Sequence, residues 1–440
     1  MNELFLKTLN MSIAASWLVL VVLIIRVAFK NAPKWVNVFL WGIVAIRVIC
    51  PFSIESTISL IPSTETIPLN IGMDTTPAIN SGIEAINNVV NPIICQSNTP
   101  VPGASINPLQ ITIGIYAYIW IFGMITLALY TIISYCRLRR KVDTAIIYRD
   151  NIFQSENVSS PFVLGIIKPR IYLPFKIEGQ NLEHVIAHEQ AHFCRKDHWW
   201  KPLGFFLLMI HWFNPLMWLA YVVLCRDIEL ACDEKVIKEL GNEQKADYTQ
   251  ALVSCSINRR TIAACPLAFG EASVKERVKS IMNYKKPTFW AILMAFIVCV
   301  VVAVCFLTNP SENQQYGKNR FGITLEVDNV TANGLTIVCK HSGGENVAEL
   351  HTGSYYVIQK RGLMGWRDVE YDLAKDYDYV AWTDEALLIQ KEGITQWDVN
   401  WEWLYGKLSA GEYRIGKEIM NFRGTRDYDK EMVYAKFTIK

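Results

Sequence analysis

The chain has 440 residues, 51% of them hydrophobic and 19% charged. It is too long for one typical domain, and soluble domains carry roughly a quarter charged residues, so the balance points to a membrane protein of two or three units. A net charge of +2 supplies no global field for nucleic acid, and direct nucleic-acid binding is set aside.

Four segments read as membrane spans. Ile13–Ile25, extendable to Phe29, comes first. Glu3 and Lys7, with no basic n-region or small-residue cleavage site, argue for a retained span and not a signal peptide. Trp35–Cys50 is short and carries Arg47, whose cost inside a bilayer is relieved if it snorkels outward. Ile111–Tyr135 is the third. Phe289–Leu307, 19 residues without a charge, has about the length that crosses a hydrocarbon core. The loop Pro51–Gln110 contains no Lys or Arg and is expected to be poorly ordered or loosely packed on the spans. Basic residues gather instead at Arg26–Lys34, Arg137–Lys141 and Arg277–Lys286. Basic loops stay in the cytoplasm, so the N-terminus, the 51–110 loop and the C-terminal part are placed outside and 137–286 inside.

Leu203–Leu224 is also apolar, but as a full span it would carry Lys275–Lys286 to the wrong side. Asn214-Pro215 interrupts it, and proline breaks a helix. A helical hairpin entering and leaving on the cytosolic side resolves the conflict, provided its irregular backbone is covered by protein or lines a wet cavity. The 11 cysteines form no C-x-x-C pair, which argues for free thiols and against a disulfide framework or a cysteine zinc site.

The chemistry is concentrated in "NLEHVIAHEQAHF" and the residues after it. Four residues advance a helix by about 400°, so His188 and His192 leave the same face one turn apart. That spacing lets two imidazoles bind one ion, with Glu189 beside the open position to take a proton from metal-bound water. The amphipathic stretch "RDIELACDEKVIKEL" offers a third ligand, Glu229, and one turn later Asp233, able to hydrogen-bond a ligand histidine. His/His/Glu with a free fourth position is a catalytic zinc arrangement, and Zn2+ is the cofactor it predicts. An isolated H-E-x-x-H is often ordinary helix surface, and the companion residues weigh against that. His184, one turn before His188, is expected to pack or hydrogen-bond and not to ligate. Arg195 and Asp197 fit either a supporting role at the site or a surface ion pair. His211, beside Asn214-Pro215, fits equally an oxyanion contact or a satisfied buried break.

"HEQAHFCRKD" followed by "RDIELACDE", with Glu229 placed 37 residues after His192, resembles the M56 peptidase family, membrane metallopeptidases of the BlaR/MecR signal-transducer type. "SSPFVLGIIKPRIYLP", "HWFNPLMW" and "KERVKSIMNYKKPT" resemble other parts of that family's pattern, and the likeness runs from residue 1 to about 308. It implies a gluzincin-like zinc endopeptidase acting on a cytosolic protein, a transcriptional repressor or the protein itself. Beyond the last span, "GITLEVDNVTANGLTIVCK" opens a run of alternating short strands with turn signals, which argues for a β-sandwich. Trp366, Trp382, Trp397, Trp401 and Trp403 are expected in its core. "WEWLYGKLSAGEYRIGK" resembles bacterial immunoglobulin-like domains. The penicillin-binding sensor of well-known family members needs S-x-x-K, and no serine here has a lysine three residues on. Acylation by β-lactams is therefore not carried over.

The predicted architecture is a multi-pass α-helical membrane protein with a cytosolic helical zinc-peptidase unit and a C-terminal all-β immunoglobulin-like sandwich. Its parts are a membrane domain 1–136 with outer loop 51–110, a peptidase unit 137–286, a last span 287–308, a linker 309–319 and an extracytoplasmic domain 320–440. Its expected partners are a cytosolic protein substrate, membrane lipid and an outer ligand of unknown kind, with a homodimer left open. Two other readings compete. A quality-control protease of the HtpX type shares H-E-x-x-H but does not account for an outer domain. A non-enzymatic sensor or scaffold does not account for an intact Glu189.

Overall fold

The computed structural model describes the chain except residues 31, 51–54, 57, 64, 70, 73–76, 99–107, 176, 178, 242, 258–273, 311–320, 345–346, 363–364, 373–381, 383–384, 425–426 and 440. The expected linker 309–319 thus lies almost wholly outside the described residues. The chain divides into two compact units, residues 1–51 with 58–310, and residues 52–57 with 311–440.

The first unit is mainly helical. Three helices are long and apolar enough to cross a membrane: α1 (Asn2–Ala28), α4 (Pro108–Lys141) and α10 (Phe289–Leu307). The second expected span forms α2 (Lys34–Ile49), whose 16 residues fall short of the ~20 that cross a bilayer core. Pro33 stands immediately before it and Arg47 occupies its last turn. Arg47 does not snorkel. It is buried and donates to Asn309 Oδ1 at 2.9 Å. The 51–110 loop is more structured than its composition suggests. It contains α3 (Glu84–Asn98), and its backbone is tied to α1 by Asn10, whose side chain accepts from Ile67 N at 2.9 Å and donates to Ile67 O at 2.8 Å.

Leu203–Leu224 folds as the hairpin that Asn214-Pro215 implies, between α6 (Asp197–Ile210) and α7 (Pro215–Leu240). Gly204 faces Tyr221 and Leu224 across the pair, so the two helices run antiparallel, and a methyl at Gly204 would meet Leu224 Cδ2 at 2.8 Å. At the break Asn214 is partnered on both ends of its amide, while the buried His211 Nδ1 has no partner among the described residues. Asn214 Oδ1 caps α7 by accepting from Leu216 N at 2.9 Å, and its Nδ2 donates to Ser12 Oγ and Ser16 Oγ at 2.8 Å each. The indole of Trp120 donates to Ile210 O at 2.8 Å, satisfying a carbonyl at the end of α6. Proline at the first helical position needs no donor there, which is why the chain can restart at Pro215.

The unit expected at 137–286 is not purely helical. A four-stranded sheet, in spatial order β1 (Ile146–Arg149), β2 (Ile152–Ser155), β4 (Arg170–Pro174), β3 (Phe162–Leu164), precedes α5 (Gln180–Cys194). Its strands have five residues or fewer, too few for a period-2 pattern to register. Ile152, Ile171 and Leu173 pack on Leu182, Val185 and Ile186 of α5, so the sheet is the floor under that helix. Helices α8 (Lys245–Ile257) and α9 (Val274–Met282) close the other side. Ala191, Cys232, Val236, Ile237, Tyr248 and Ile281 form one small core between α5, α7, α8 and α9.

The second unit is a sandwich of antiparallel sheets. One has the order β8 (Gly365–Asp368), β7 (Glu349–Gly362), β11 (Gly411–Gly424), β12 (Asp427–Ile439), with β9 (Leu387–Leu388) also on β7. The other has the order β10 (Ile394–Asn400), β6 (Gly334–His341), β5 (Ile323–Asp328). Leu335, Ile337, Cys339 and His341 alternate inward along β6, and both sheets contribute to a single core. Of the five expected core tryptophans only Trp401 is fully buried, stacked on Phe437 at 5.4 Å, whereas Trp403 is 48% exposed. A short helix, α11 (Glu402–Tyr405), turns alternate residues by helical steps, which sends Leu404 inward and Trp403 out.

Candidate metal centre

Helix α5 carries His184, His188 and His192 one turn apart, with Glu189 beside His188. It ends in a turn so tight that Lys196 sits in the left-handed region at φ 59°, where a residue with a Cβ is strained. That turn starts α6 at Asp197 and brings its carboxylate back onto α5. Asp197 Oδ2 lies 2.8 Å from His192 Nδ1. A carboxylate can only accept, so Nδ1 carries the proton and the Nε2 lone pair is left facing inward. Arg195 Nε donates to the same Oδ2 at 3.3 Å and its Nη1 reaches Ala231 O at 3.4 Å, so both residues are built into the site and are not a surface pair.

His188 is oriented by a longer chain. Tyr248 Oη lies 2.8 Å from His188 Nδ1 and donates to Asp233 Oδ1 at 2.7 Å. Tyr248 therefore accepts from His188, and Asp233 sets its tautomer through the phenol, besides standing 3.4 Å from Nδ1 itself. Arg277 completes the chain, with Nε and Nη2 on the two oxygens of Asp233 at 2.8 and 2.7 Å.

The inward atoms converge. His188 Nε2 and His192 Nε2 are 3.2 Å apart, and the Glu229 carboxylate lies 3.6 Å from the first and 3.5 Å from the second. The first contact is made by Oε2 and the second by Oε1; ligands bound at about 2.0–2.1 Å on a tetrahedral ion stand roughly 3.3 Å from one another, so the two imidazoles and this carboxylate lie close to the spacing one ion needs. Cys232 is also close enough to form a set with the two histidines. Its Sγ, however, lies 3.7 Å from His188 Nδ1 and 3.4 Å from His188 O, on the side where Tyr248 already holds the ring. The converging Nε2 atoms favour Glu229. Arg277 Nη2, which donates to Asp233 Oδ1 at 2.7 Å, also lies 3.2 Å from His188 Nε2, at the edge of the space an ion would take.

The electrostatics are those of a buried, balanced cluster. Burial opposes the charge on Glu229, but Lys201, then the histidines, hold its carboxyl well below the ordinary range. Burial likewise opposes ionisation of Asp233, and the Arg277 guanidinium reverses it. Glu189 is only 6% exposed and has no hydrogen bond or ion pair among the described residues. It lines a cavity with His184, Val185, Tyr248 and Leu252 at the edge of the triad. A buried carboxylate with no partner, beside a three-ligand face, is placed to move a proton.

His184 sets its ring edge-on to Tyr248 and leaves Nε2 without a partner. His211 stands apart. It ends α6, whose start is at the cluster, and a helix of that length separates its ends by about 20 Å. Its ring lies 6.2 Å from Phe213, and no described contact links it to the metal ligands. Sequence reasoning missed Tyr248, Lys201 and Arg277. Arg277 lies inside "KERVKSIM", already noted for its likeness, and Lys201 follows Asp197 by one helical turn; Tyr248 left no signal.

A family model described as BlaR1 peptidase M56 matches residues 6–281, and one described as bacterial Ig-like domain matches residues 317–438. The methicillin resistance mecR1 protein of Staphylococcus aureus is 31% identical over 161 residues, covering 34% of this chain and 28% of that protein. The same figures hold for the mecR1 protein of Staphylococcus epidermidis. The regulatory protein BlaR1 of Bacillus licheniformis is 29% identical over 142 residues, covering 30% of this chain and 23% of its own. The alignments therefore span about a quarter of these relatives' length. The match runs through both helices that carry the triad, and the chain is a membrane protein that belongs to the BlaR1 peptidase M56 family.

Proposed function

We propose that the protein is a zinc-dependent membrane endopeptidase that couples an extracytoplasmic immunoglobulin-like domain to proteolysis on the cytosolic side. The observation that carries this reading is the convergence of His188 Nε2, His192 Nε2 and the Glu229 carboxylate within 3.6 Å of one another, with an unpaired Glu189 beside them. Zinc held there would polarise a peptide carbonyl and acidify water. Glu189 would accept the proton from that water and return it to the departing amine. Asp197 fixes the tautomer of His192, and Tyr248 with Asp233 fixes that of His188, so neither ring must reorganise during turnover. The pocket beside Glu189 is walled by Val185, Ala251 and Leu252, which suits an apolar substrate side chain.

The charge distribution supports a cytosolic site and an outer C-terminal domain. A relative named as a regulatory protein supports a regulatory role, and the substrate proposed with it is a cytosolic repressor or the chain itself. The test compares cytosolic proteomes and the protein's own fragments in cells expressing wild type or Glu189→Ala. Cleavage products present with wild type and absent with the variant are expected. Identical products from both would end the protease reading.

A further inference from the structure

Lys201 is the unexplained charge of the site. It projects from α6 one turn after Asp197, its side chain is 15% exposed, and its ammonium lies 2.9 Å from Glu229 Oε1. Among the described residues it has no other hydrogen-bond or ion-pair partner. Burying an ammonium costs several kcal/mol that only good pairing offsets, so a lysine committed to one carboxylate is placed for that carboxylate. Arg277 differs, since its nearer contact to Glu229 is 3.3 Å and its shorter ones, 2.7 and 2.8 Å, go to Asp233.

The placement has a geometric logic. Positions four apart on a helix lie on one face, one above the other. Asp197 and Lys201 use that face of α6 to hold two different groups of the triad, a histidine on α5 and a glutamate on α7. The two oxygens of Glu229 must face the imidazole nitrogens across an interhelical gap. A glutamate has three side-chain torsions, and without a fixed partner its carboxylate has no reason to stay turned toward them.

We infer that Lys201 is a positioning residue for metal binding: through its pair with Glu229 it holds that carboxylate in the plane of the two histidine nitrogens. The inference rests on the metal reading above. Partners of this kind are worth roughly 10–100-fold in metal affinity.

The test uses the full chain in detergent, with Zn2+ as the probe and a chelating dye as competitor. Lys201→Met is expected to bind zinc about 10–100-fold more weakly than wild type. In the Glu229→Ala background, titrated at zinc concentrations high enough to load the two histidines alone, the same substitution is expected to cause no further weakening, because the group it acts on is gone. A merely structural lysine would weaken both backgrounds alike. Lys201→Gln, which keeps a donor and loses the charge, serves where the methionine variant does not fold, and should fall between wild type and Lys201→Met. Wild-type affinity in the folded Met or Gln variant would overturn the inference, and so would additive losses with Glu229→Ala. Absence of zinc from the wild type would overturn the metal reading itself and is a separate outcome.

Discussion

Helix α7 buries acidic residues on two opposite faces, and the two faces do different work. Residues 227 and 234 are seven apart, two turns, and share one stripe; 229 lies about 200° round the helix from 227. On the first stripe Asp227 is wholly buried, accepting from Arg26 Nε at 2.8 and 2.9 Å and from Trp41 Nε1 at 2.9 Å. Glu234 Oε2, on the same stripe, accepts from the backbone N–H of Lys34. These bonds tie α7 to α1, α2 and the turn between them. On the second stripe Glu229 faces His188 and His192, and Asp233 faces Tyr248 and Arg277. Both stripes are acidic, buried and paired. What separates them is the partner: on one side fixed arginine, indole and backbone donors alone, and on the other a Glu229 carboxylate that accepts from Lys201 and also faces the two imidazole Nε2 atoms. A buried carboxylate closed by donors alone is structure, and one that also faces imidazole lone pairs stands where a cation would join all three groups.

The largest expected effect lies on the second stripe. Glu229→Ala removes one of three ligands, and zinc content should fall from about one per chain to near none, with proteolysis lost. Metal analysis after gel filtration measures this; full occupancy in the variant would mean that Cys232 or Arg277's neighbours, and not Glu229, complete the site. Next comes Glu189→Ala, which leaves all three ligands in place. Proteolysis should drop roughly 10²–10⁴-fold with zinc retained. Loss of zinc together with activity would make Glu189 a ligand and the open position illusory.

On the first stripe the expected damage is of another kind. Asp227→Ala leaves Arg26 and the Trp41 indole without their acceptor, and removing one partner of a buried pair costs roughly 3–5 kcal/mol. Thermal unfolding in detergent should show a marked fall, while the folded fraction keeps its zinc. If the folded Asp227→Ala protein has lost zinc, the two faces are not separate, and the tie to α1 and α2 sets the metal geometry directly.

The two stripes were unequally legible in the sequence. His188, Glu189 and His192 announce themselves because ligand chemistry demands a fixed spacing on one helix. Glu229 and Asp233 were offered by the amphipathic stretch that carries them and made specific by the family's second motif, since an acidic pair one turn apart is common on any helix. Asp227 and Glu234 gave nothing: their partners lie about 200 residues away, and no local pattern encodes a pairing that only the tertiary fold creates. The hairpin at Asn214-Pro215 was legible because proline acts locally. Arg47 misled for the opposite reason, because Asn309, which satisfies it, is remote in sequence. In the sandwich, alternation along β6 reported burial well. Trp401 is buried and Trp382 and Trp397 pack partly buried on the core, while Trp403 departs because helix α11 turns it outward.

The smallest expected effect lies on the stripe of α7 that faces solvent, and it calibrates the other two. Lys235 and Glu239 stand one turn apart with side chains 31% and 64% exposed, and their charges approach to 4.0 Å. Unlike the inner ion pairs, which join α7 to other helices, this one joins opposite charges four positions apart on α7 itself. Water screens them, and holding two long side chains in register costs entropy, so such pairs are worth at most about 0.5 kcal/mol. Lys235→Ala should therefore leave zinc content and proteolysis unchanged, and shift the unfolding midpoint by about a degree or two at most. The Lys235→Ala, Glu239→Ala double variant should match the sum of the singles within a few tenths of a kcal/mol. A large loss here would show that α7 tolerates no perturbation on any face, and the contrast between its two buried stripes would then reflect general fragility of the helix and not the identity of the partners.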